Sequence, residues 1–213
     1  MRIALFLGCF LILTAQGPKD LSLFDGKTLD GWKVAGFANE GDVRVADGAI
    51  VLPASRPMSG VTSTRTDLPT SDYELTYEAR RLEGEDFFAA CTFPVGKSFI
   101  TFVNGGWGGT VTGLSSIDGA DASENQSGKF FKYENNTWYR FRVRVSDKAI
   151  RCWVNDEPVV AVDIEDRTIG TRIETRRNQP LGFATYRSTG EVRKVEVRKL
   201  TSEEAAKNNK VDL

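Results

Sequence analysis

The chain has 213 residues, with 28 Lys and Arg against 29 Asp and Glu, and no histidine. The missing histidine excludes Ser-His-Asp and Cys-His catalysis and His-based zinc sites. A near-neutral balance without a basic stripe argues against nucleic acid as a partner, so any chemistry falls to carboxylates, Arg, Lys, Tyr or a hard metal ion.

Residues 1–17, MRIALFLGCFLILTAQG, have the layout of a secretory signal peptide. Arg2 leads, an apolar run follows from Ile3 to Leu13, and small residues lie near Ala15 and Gly17. The run is too short to stay in a bilayer as a spanning helix. The expected product is secreted or periplasmic, without membrane insertion after signal removal. One domain is expected over 18–200, followed by a tail over 201–213. Two cysteines remain, Cys91 and Cys152, both in apolar strand patterns. They could pair in an oxidising compartment or stay as buried thiols.

Residues 21–34, LSLFDGKTLDGWKV, open the domain. Leu23, Phe24, Leu29 and Trp32 are apolar anchors around two Asp-Gly turn signals. Residues 42–52 read as a hairpin that turns at Asp47-Gly48. Residues 60–68 read as an extended polar strand. Residues 73–80 put Tyr73, Leu75, Tyr77 and Ala79 on one face and Glu74, Thr76, Glu78 and Arg80 on the other. Residues 86–95 put Phe87, Ala89, Cys91 and Phe93 on one face, and a strand over 98–104 follows.

Residues 104–125, NGGWGGTVTGLSSIDGADASEN, interrupt this pattern with six of the chain's twenty glycines. They read as one long, shaped loop on a β-scaffold, and such loops commonly carry function. The alternation then resumes. Residues 137–146 set Phe141, Val143 and Val145 against Arg140, Arg142 and Arg144. Residues 149–154 set Ile150, Cys152 and Val154 against Arg151 and Trp153. Further strands are expected over 158–164, 182–187 and 192–200, with a helical turn or two over 202–208. Many short strands at regular spacing predict an all-β sandwich or barrel. Three arginines on one strand face repel one another, so carboxylates must lie across from them, and Glu74 and Glu78 are the candidates.

Gly105-Gly106-Trp107-Gly108-Gly109 is not a phosphate loop, because no Gly-Lys-Ser/Thr follows. Trp107 is either a sugar-stacking platform or a cap on the sandwich edge. Asp118, Asp121, Glu124 and Asn125 are oxygen ligands for a possible calcium ion, or solvated turn residues. No other cofactor is implied. Glycoside hydrolysis needs a carboxylate pair; Glu78, Asp118, Asp121 and Glu124 are the candidate catalytic residues. Asn104, Trp107, Arg142, Arg144, Arg151 and Trp153 are the candidate substrate-binding residues.

The opening Leu23-Phe24-Asp25-Gly26-Lys27-Thr28-Leu29-Asp30-Gly31-Trp32 resembles that of the 3-keto-disaccharide hydrolase domain family, in its planctomycete-type secreted form. Val45-x-Asp47-Gly48-x-Ile50, Tyr73-Glu74-Leu75, Trp138-Tyr139-Arg140 and Ile150-x-x-Trp153-Val154-Asn155-Asp156 extend the resemblance over most of the chain. Two departures stand out. FFAACTFPVGKSF replaces a strand that ends Asn-Ser-Gly-Ile, and Cys152 stands where a histidine is often found. The resemblance implies a concanavalin A-like jelly roll of two antiparallel sheets with a concave face suited to carbohydrate. Three functions follow as expectations: an exported glycoside hydrolase, a non-catalytic carbohydrate-binding module of the same fold, or a cell-surface interaction domain.

Overall fold

The computed structural model describes residues 20–211. The signal-peptide reading, with Cys9, falls on residues outside that range. In chain order the first strands are β1 (Leu21–Ser22), β2 (Trp32–Val34), β3 (Arg44–Ala46), β4 (Ala49–Leu52) and β5 (Met58–Ser63). Next come β6 (Tyr73–Glu83), β7 (Ala90–Val95), β8 (Ser98–Gly105), β9 (Val111–Ser115) and β10 (Lys129–Phe130). The last are β11 (Tyr139–Val145), β12 (Ala149–Val154), β13 (Glu157–Asp163), β14 (Gly182–Tyr186) and β15 (Thr189–Lys199).

They form two antiparallel sheets. The first runs β13-β12-β11-β6-β15-β4-β3, with β1 added along β15. The second runs β10-β9-β8-β7-β14-β5-β2. The strand pattern allows a sandwich or a barrel, and the two-sheet jelly-roll sandwich that the resemblance implies is what the chain forms. The alternating faces explain why two sheets result: each strand has one apolar side, and only a facing sheet can cover it.

The inner faces meet around aromatic rings. Tyr77 of the first sheet stacks on Phe141 at 4.9 Å and meets Phe183 of the second sheet edge-on at 4.9 Å. Trp32 is buried against Phe183 at 5.7 Å and donates from Nε1 to the Leu23 carbonyl at 2.7 Å. The opening motif is therefore a core anchor. Cys91 and Cys152 are both buried and free, and burial pushes both thiols well above their ordinary pKa. The hairpin at Asp47-Gly48 has both residues at positive φ, 48° and 77°, the geometry of a type I′ turn.

Three expected boundaries move. The strand expected over 60–68 ends at Ser63, and Arg65 turns aside to pair with Asp67 at 2.7 Å. The strand expected over 86–95 begins only at Ala90, because Ala89 takes a positive φ of 55°. That break sends Phe88 into the core and leaves Phe87 outside it. The stretch 104–125 is not one loop. Asn104 and Gly105 end β8, residues 106–109 make a tight turn, and β9 runs back beside β8 before a second bend.

The outer face of the first sheet is a charge ladder. Arg140 lies opposite Glu78 and Arg144 opposite Glu74, as the repulsion argument required. Arg144 Nε donates to Glu74 at 2.5 Å, and Arg198 bridges Glu74 and Glu204. Glu204 belongs to the C-terminal helix Ser202–Asn208, whose N-terminus is closed by a Thr201–Glu204 capping box. The Arg198 side chain holds the Glu204 carboxyl down from 4.5 to about 2.

A group held down in the folded state stabilises above its unfolded pKa and loses that contribution as pH falls through the folded value. Docking of the helix should therefore weaken between pH 4.5 and about pH 2. The Glu204→Gln variant should show a flatter melting temperature across that range. Thr201→Ala should cost about 1 kcal/mol in denaturant unfolding, from the lost cap. An unchanged acid profile in Glu204→Gln would refute this account of the helix anchor.

Candidate functional site

A cleft of about 350 Å³ lies on the outer face of the second sheet. Its floor is formed by Met58 of β5, Ala90 of β7, Thr101 and Val103 of β8, Ser115 of β9 and Tyr186 of β14. These residues alternate with the core residues Cys91, Ile100, Phe102 and Leu114. Small side chains at 90, 101 and 115 leave a hollow where larger ones would fill it.

One wall is built by the turn after β8. Trp107 stands at its tip in a left-handed conformation, φ 50° and ψ 52°, and is 43% exposed. Gly109 at φ 103° lets the turn close, since a Cβ there would collide with the Glu85 carbonyl oxygen. Asp86 ties the turn down. Its carboxylate accepts from the Phe87 N–H at 2.8 Å and from the Gly108 N–H at 3.2 Å. Phe87, turned out of the core by the break at Ala89, packs on Tyr186 at 5.6 Å. Trp107, Phe87 and Tyr186 thus give this side aromatic surface.

The opposite wall comes from the 3₁₀ segment Ile173–Asn178. It seats directly on the sheet because β5 and β14 carry Gly60 and Gly182 beneath it. A Cβ on Gly182 would come within 2.9 Å of the Asn178 Cβ. Asn178 Nδ2 donates to the Val61 and Phe183 carbonyls at 3.1 and 3.0 Å. The Thr101 hydroxyl donates to that of Thr175 at 3.0 Å. So anchored, Arg172 and Glu174 face the cleft. Arg172 grips Glu174 with two N–H groups, at 3.2 and 3.1 Å, and also pairs with Asp121. Asp121 is held in turn by the Ser115 hydroxyl at 3.2 Å. The Arg172 hydrogen bonds keep the Glu174 carboxyl below its ordinary value and raise the Arg172 pKa in return. Glu174 is thereby kept as an ionised carboxylate.

The fold does not bring the sequence candidates into one cleft. Of the candidates, Trp107 lines the cleft and Asp121 reaches it through Arg172. Glu78, Arg142, Arg144, Arg151 and Trp153 lie on the outer face of the other sheet. There Glu78 pairs with Arg193 at 2.7 Å and Lys194 at 2.8 Å. Burial raises its pKa, but those two cations together hold it below the ordinary value. Arg142 lies 4.4 Å over the Trp153 ring, and Arg144 lies 5.7 Å from it. Arg151 reaches the carbonyl of Lys210. Asn104 is fully buried and donates to the Tyr77 hydroxyl at 3.1 Å and the Ala89 carbonyl at 3.2 Å, so it cannot touch a ligand.

The three loop carboxylates separate as well. Asp118 accepts from the Thr168 N–H at 2.7 Å and from Arg167 at 2.6 Å, which hold its carboxyl down. Asp121 goes to Arg172, and Glu124 is exposed. Asn125 spends its amide on the Leu114 and Ala120 carbonyls. No group of three or more His, Cys, Asp or Glu that could hold a metal occurs among the described residues. The carboxylates of Asp118 and Asp121 are taken up by Arg167 and Arg172.

Sequence reasoning missed Asp86, Arg172, Glu174 and Tyr186. Phe87, expected on one strand face with Ala89, Cys91 and Phe93, lies outside the core that those residues enter. These residues lie far apart in the chain, and only the fold brings them to one hollow.

The profile of the 3-keto-alpha-glucoside-1,2-lyase-like domain family matches residues 19–198, and the chain belongs to that family. No curated protein sequence matches it. Among solved structures it is similar to domain 4 of AbnA, a GH43 extracellular arabinanase from Geobacillus stearothermophilus solved with arabinotriose. That match has a TM-score of 0.56 and 15% identity, and covers 92% of this chain and 100% of that one. The carbohydrate-binding module CBM66 from Bacillus subtilis gives a TM-score of 0.55 at 11% identity, covering 79% and 96%. Apo Crh5 transglycosylase gives 0.57 at 11%, covering 88% and 86%. At such identities these likenesses establish the sandwich fold alone.

Two substitutions separate the ring from its mount. Trp107→Ala removes a half-exposed ring and should change the melting temperature by no more than about 2 °C, as surface changes do. Gly109→Ala puts a side chain into a closed, positive-φ turn and should cost about 1–3 kcal/mol. A large loss of stability in Trp107→Ala would make the tryptophan a packing residue.

Proposed function

We propose that this chain is an exported carbohydrate-active domain that binds a glycoside in the cleft on the second sheet and cleaves it there. The observation that carries this reading is the pairing of Trp107 with the Arg172–Glu174 couple across one hollow. An exposed ring presents a flat apolar face for the C–H groups of a pyranose. The opposite wall presents charge for hydroxyl groups and for chemistry. The leader-like residues 1–17 support export, and the carbohydrate-active relatives of the fold support a sugar as ligand.

The family description points to 3-keto-glucosides, and the cleft suits them. Hydrolysis by a carboxylate pair needs one carboxyl kept protonated as general acid. Glu174 is pushed the other way. An ionised carboxylate beside an arginine suits a different reaction, removal of a proton next to a ketone. Glu174 would take the proton from C2 of a 3-keto sugar. The C2 electron pair would form a C1–C2 double bond as the C1–O bond breaks, and the leaving alkoxide would take a proton from water. Arg172 would stabilise the oxyanion that develops on the ketone. Asp86 would act as a positioning residue, through the turn that carries Trp107.

The second reading, a binding module without turnover, is favoured by the two-pronged grip of Arg172 on Glu174, which occupies the carboxylate.

One set of assays decides. The purified chain should convert a 3-keto-glucoside and leave the plain disaccharide intact. Glu174→Gln should lower kcat by about 10²–10⁴-fold with little change in KM, and Glu78→Gln, on the far sheet, should leave both constants alone. Because Glu174 is held below 4.5, the acid limb of kcat/KM should lie below pH 4.5. Binding of the 3-keto-glucoside without conversion would establish the module reading and remove the enzyme.

A further inference from the structure

A second hollow, of about 770 Å³, adjoins the cleft and is lined by Ala54, Ser55, Arg56, Pro57 and Arg187. The two are continuous through Pro57, which lines both. They are also joined covalently, since Tyr186 of the cleft floor precedes Arg187. The Arg187 N–H donates to the Pro57 carbonyl at 3.0 Å, fixing the two segments side by side. The Arg187 guanidinium stands 5.3 Å from the centroid of the Tyr186 ring. Its backbone is held at a positive φ of 49°, an uncommon conformation for a residue of its size.

Two features mark this hollow. On the outer face of the first sheet Arg80, Arg140, Arg142, Arg144, Arg193 and Arg198 pair with carboxylates. Here both Arg56 and Arg187 are exposed, and no ion pair among the described residues involves either guanidinium. No carboxylate lines the hollow. A concave, carboxylate-free place with two guanidinium groups outside any ion pair is a site for an anion. Guanidinium matches the planar, two-oxygen geometry of carboxylate and sulfate.

We infer that the ligand is an acidic glycan: the sugar unit on Trp107 is followed by one whose anionic substituent, a carboxylate or a sulfate ester, is taken by Arg56 and Arg187. The inference rests on the reading of the cleft as the sugar site and adds to it the charge of the neighbouring unit. A neutral glycan would leave both guanidinium groups to water, while an acidic one gains two charge-assisted contacts in a partly shielded hollow. Such contacts are screened by salt, so the gain is an ionic-strength-dependent one.

The test is calorimetric titration of the purified chain with three probes: maltose, maltose with a carboxylate at one C6, and maltose 6-sulfate. At low salt, the acidic sugars should bind about tenfold tighter than maltose, each arginine supplying a few-fold. That preference should shrink between about 0.01 M and about 1 M salt. The Arg56→Gln, Arg187→Gln double variant should lose the preference while its affinity for maltose is unchanged. A preference for only one of the two acids supports the inference and identifies the substituent. Equal binding of all three probes overturns it and leaves the cleft reading intact, as does a preference that survives the double substitution. If none of the three binds, the inference is overturned, while the cleft reading stands or falls on the 3-keto-glucoside assay.

Discussion

The hydrogen bond from Asn104 Nδ2 to the Tyr77 hydroxyl joins the functional face of this protein to its core. Tyr77 is the ring on which the two sheets meet, packed between Phe141 and Phe183. Burying a phenol is costly without a partner for its hydroxyl. Asn104 supplies that partner and spends its second N–H on the Ala89 carbonyl. It thereby pins the kink at Ala89 beside the start of the turn that bears Trp107. The same kink turns Phe87 outward and sets Asp86 under Gly108. One buried amide thus fixes where the aromatic wall of the cleft stands. Burial pushes the Tyr77 hydroxyl well above its ordinary pKa, so it stays protonated and the link holds across the working pH range.

The opposite wall depends on close approach instead. Asn178 reaches two strand carbonyls only because glycines at 60 and 182 let the 3₁₀ segment lie against the sheet. The two walls are therefore fixed by different physics, a buried side-chain amide bonded to the core on one side and an absence of side chains on the other.

Much of the sandwich was readable from alternation alone, because period-two patterning survives wherever one face is buried. The facing of Arg140 and Arg144 by Glu78 and Glu74 followed from charge repulsion across a strand pair. The site was less readable. Trp107 announced itself as a large ring among glycines. Asp86, Arg172, Glu174 and Tyr186 carry no local motif, and they meet only when the second sheet closes. Phe87 was masked because a single positive φ at Ala89 shifts every side chain before it to the other face. Asn104 was misplaced because a polar residue at the root of a glycine-rich turn looks the same in sequence whether it points inward or outward.

The two outer faces show why polar alternation is a poor guide to function. Both sheets alternate apolar with polar residues, and the cleft lies on the second. On the first sheet the polar positions hold long side chains, and these consume one another. Arg193 lies 3.8 Å over the Trp138 ring with Arg80 on the same ring at 4.7 Å, and Arg80 also pairs with Glu191 at 2.5 Å. Such a face is filled by paired side chains, and a ligand would have to break ion pairs to enter it. On the second sheet the equivalent positions hold Ala90, Thr101 and Ser115, whose short side chains cannot reach across to a neighbour strand's charge. They leave volume, and the charge that borders it comes from loops instead. Side-chain length at the outward positions, more than polarity, decides which face of this sandwich carries the hollow.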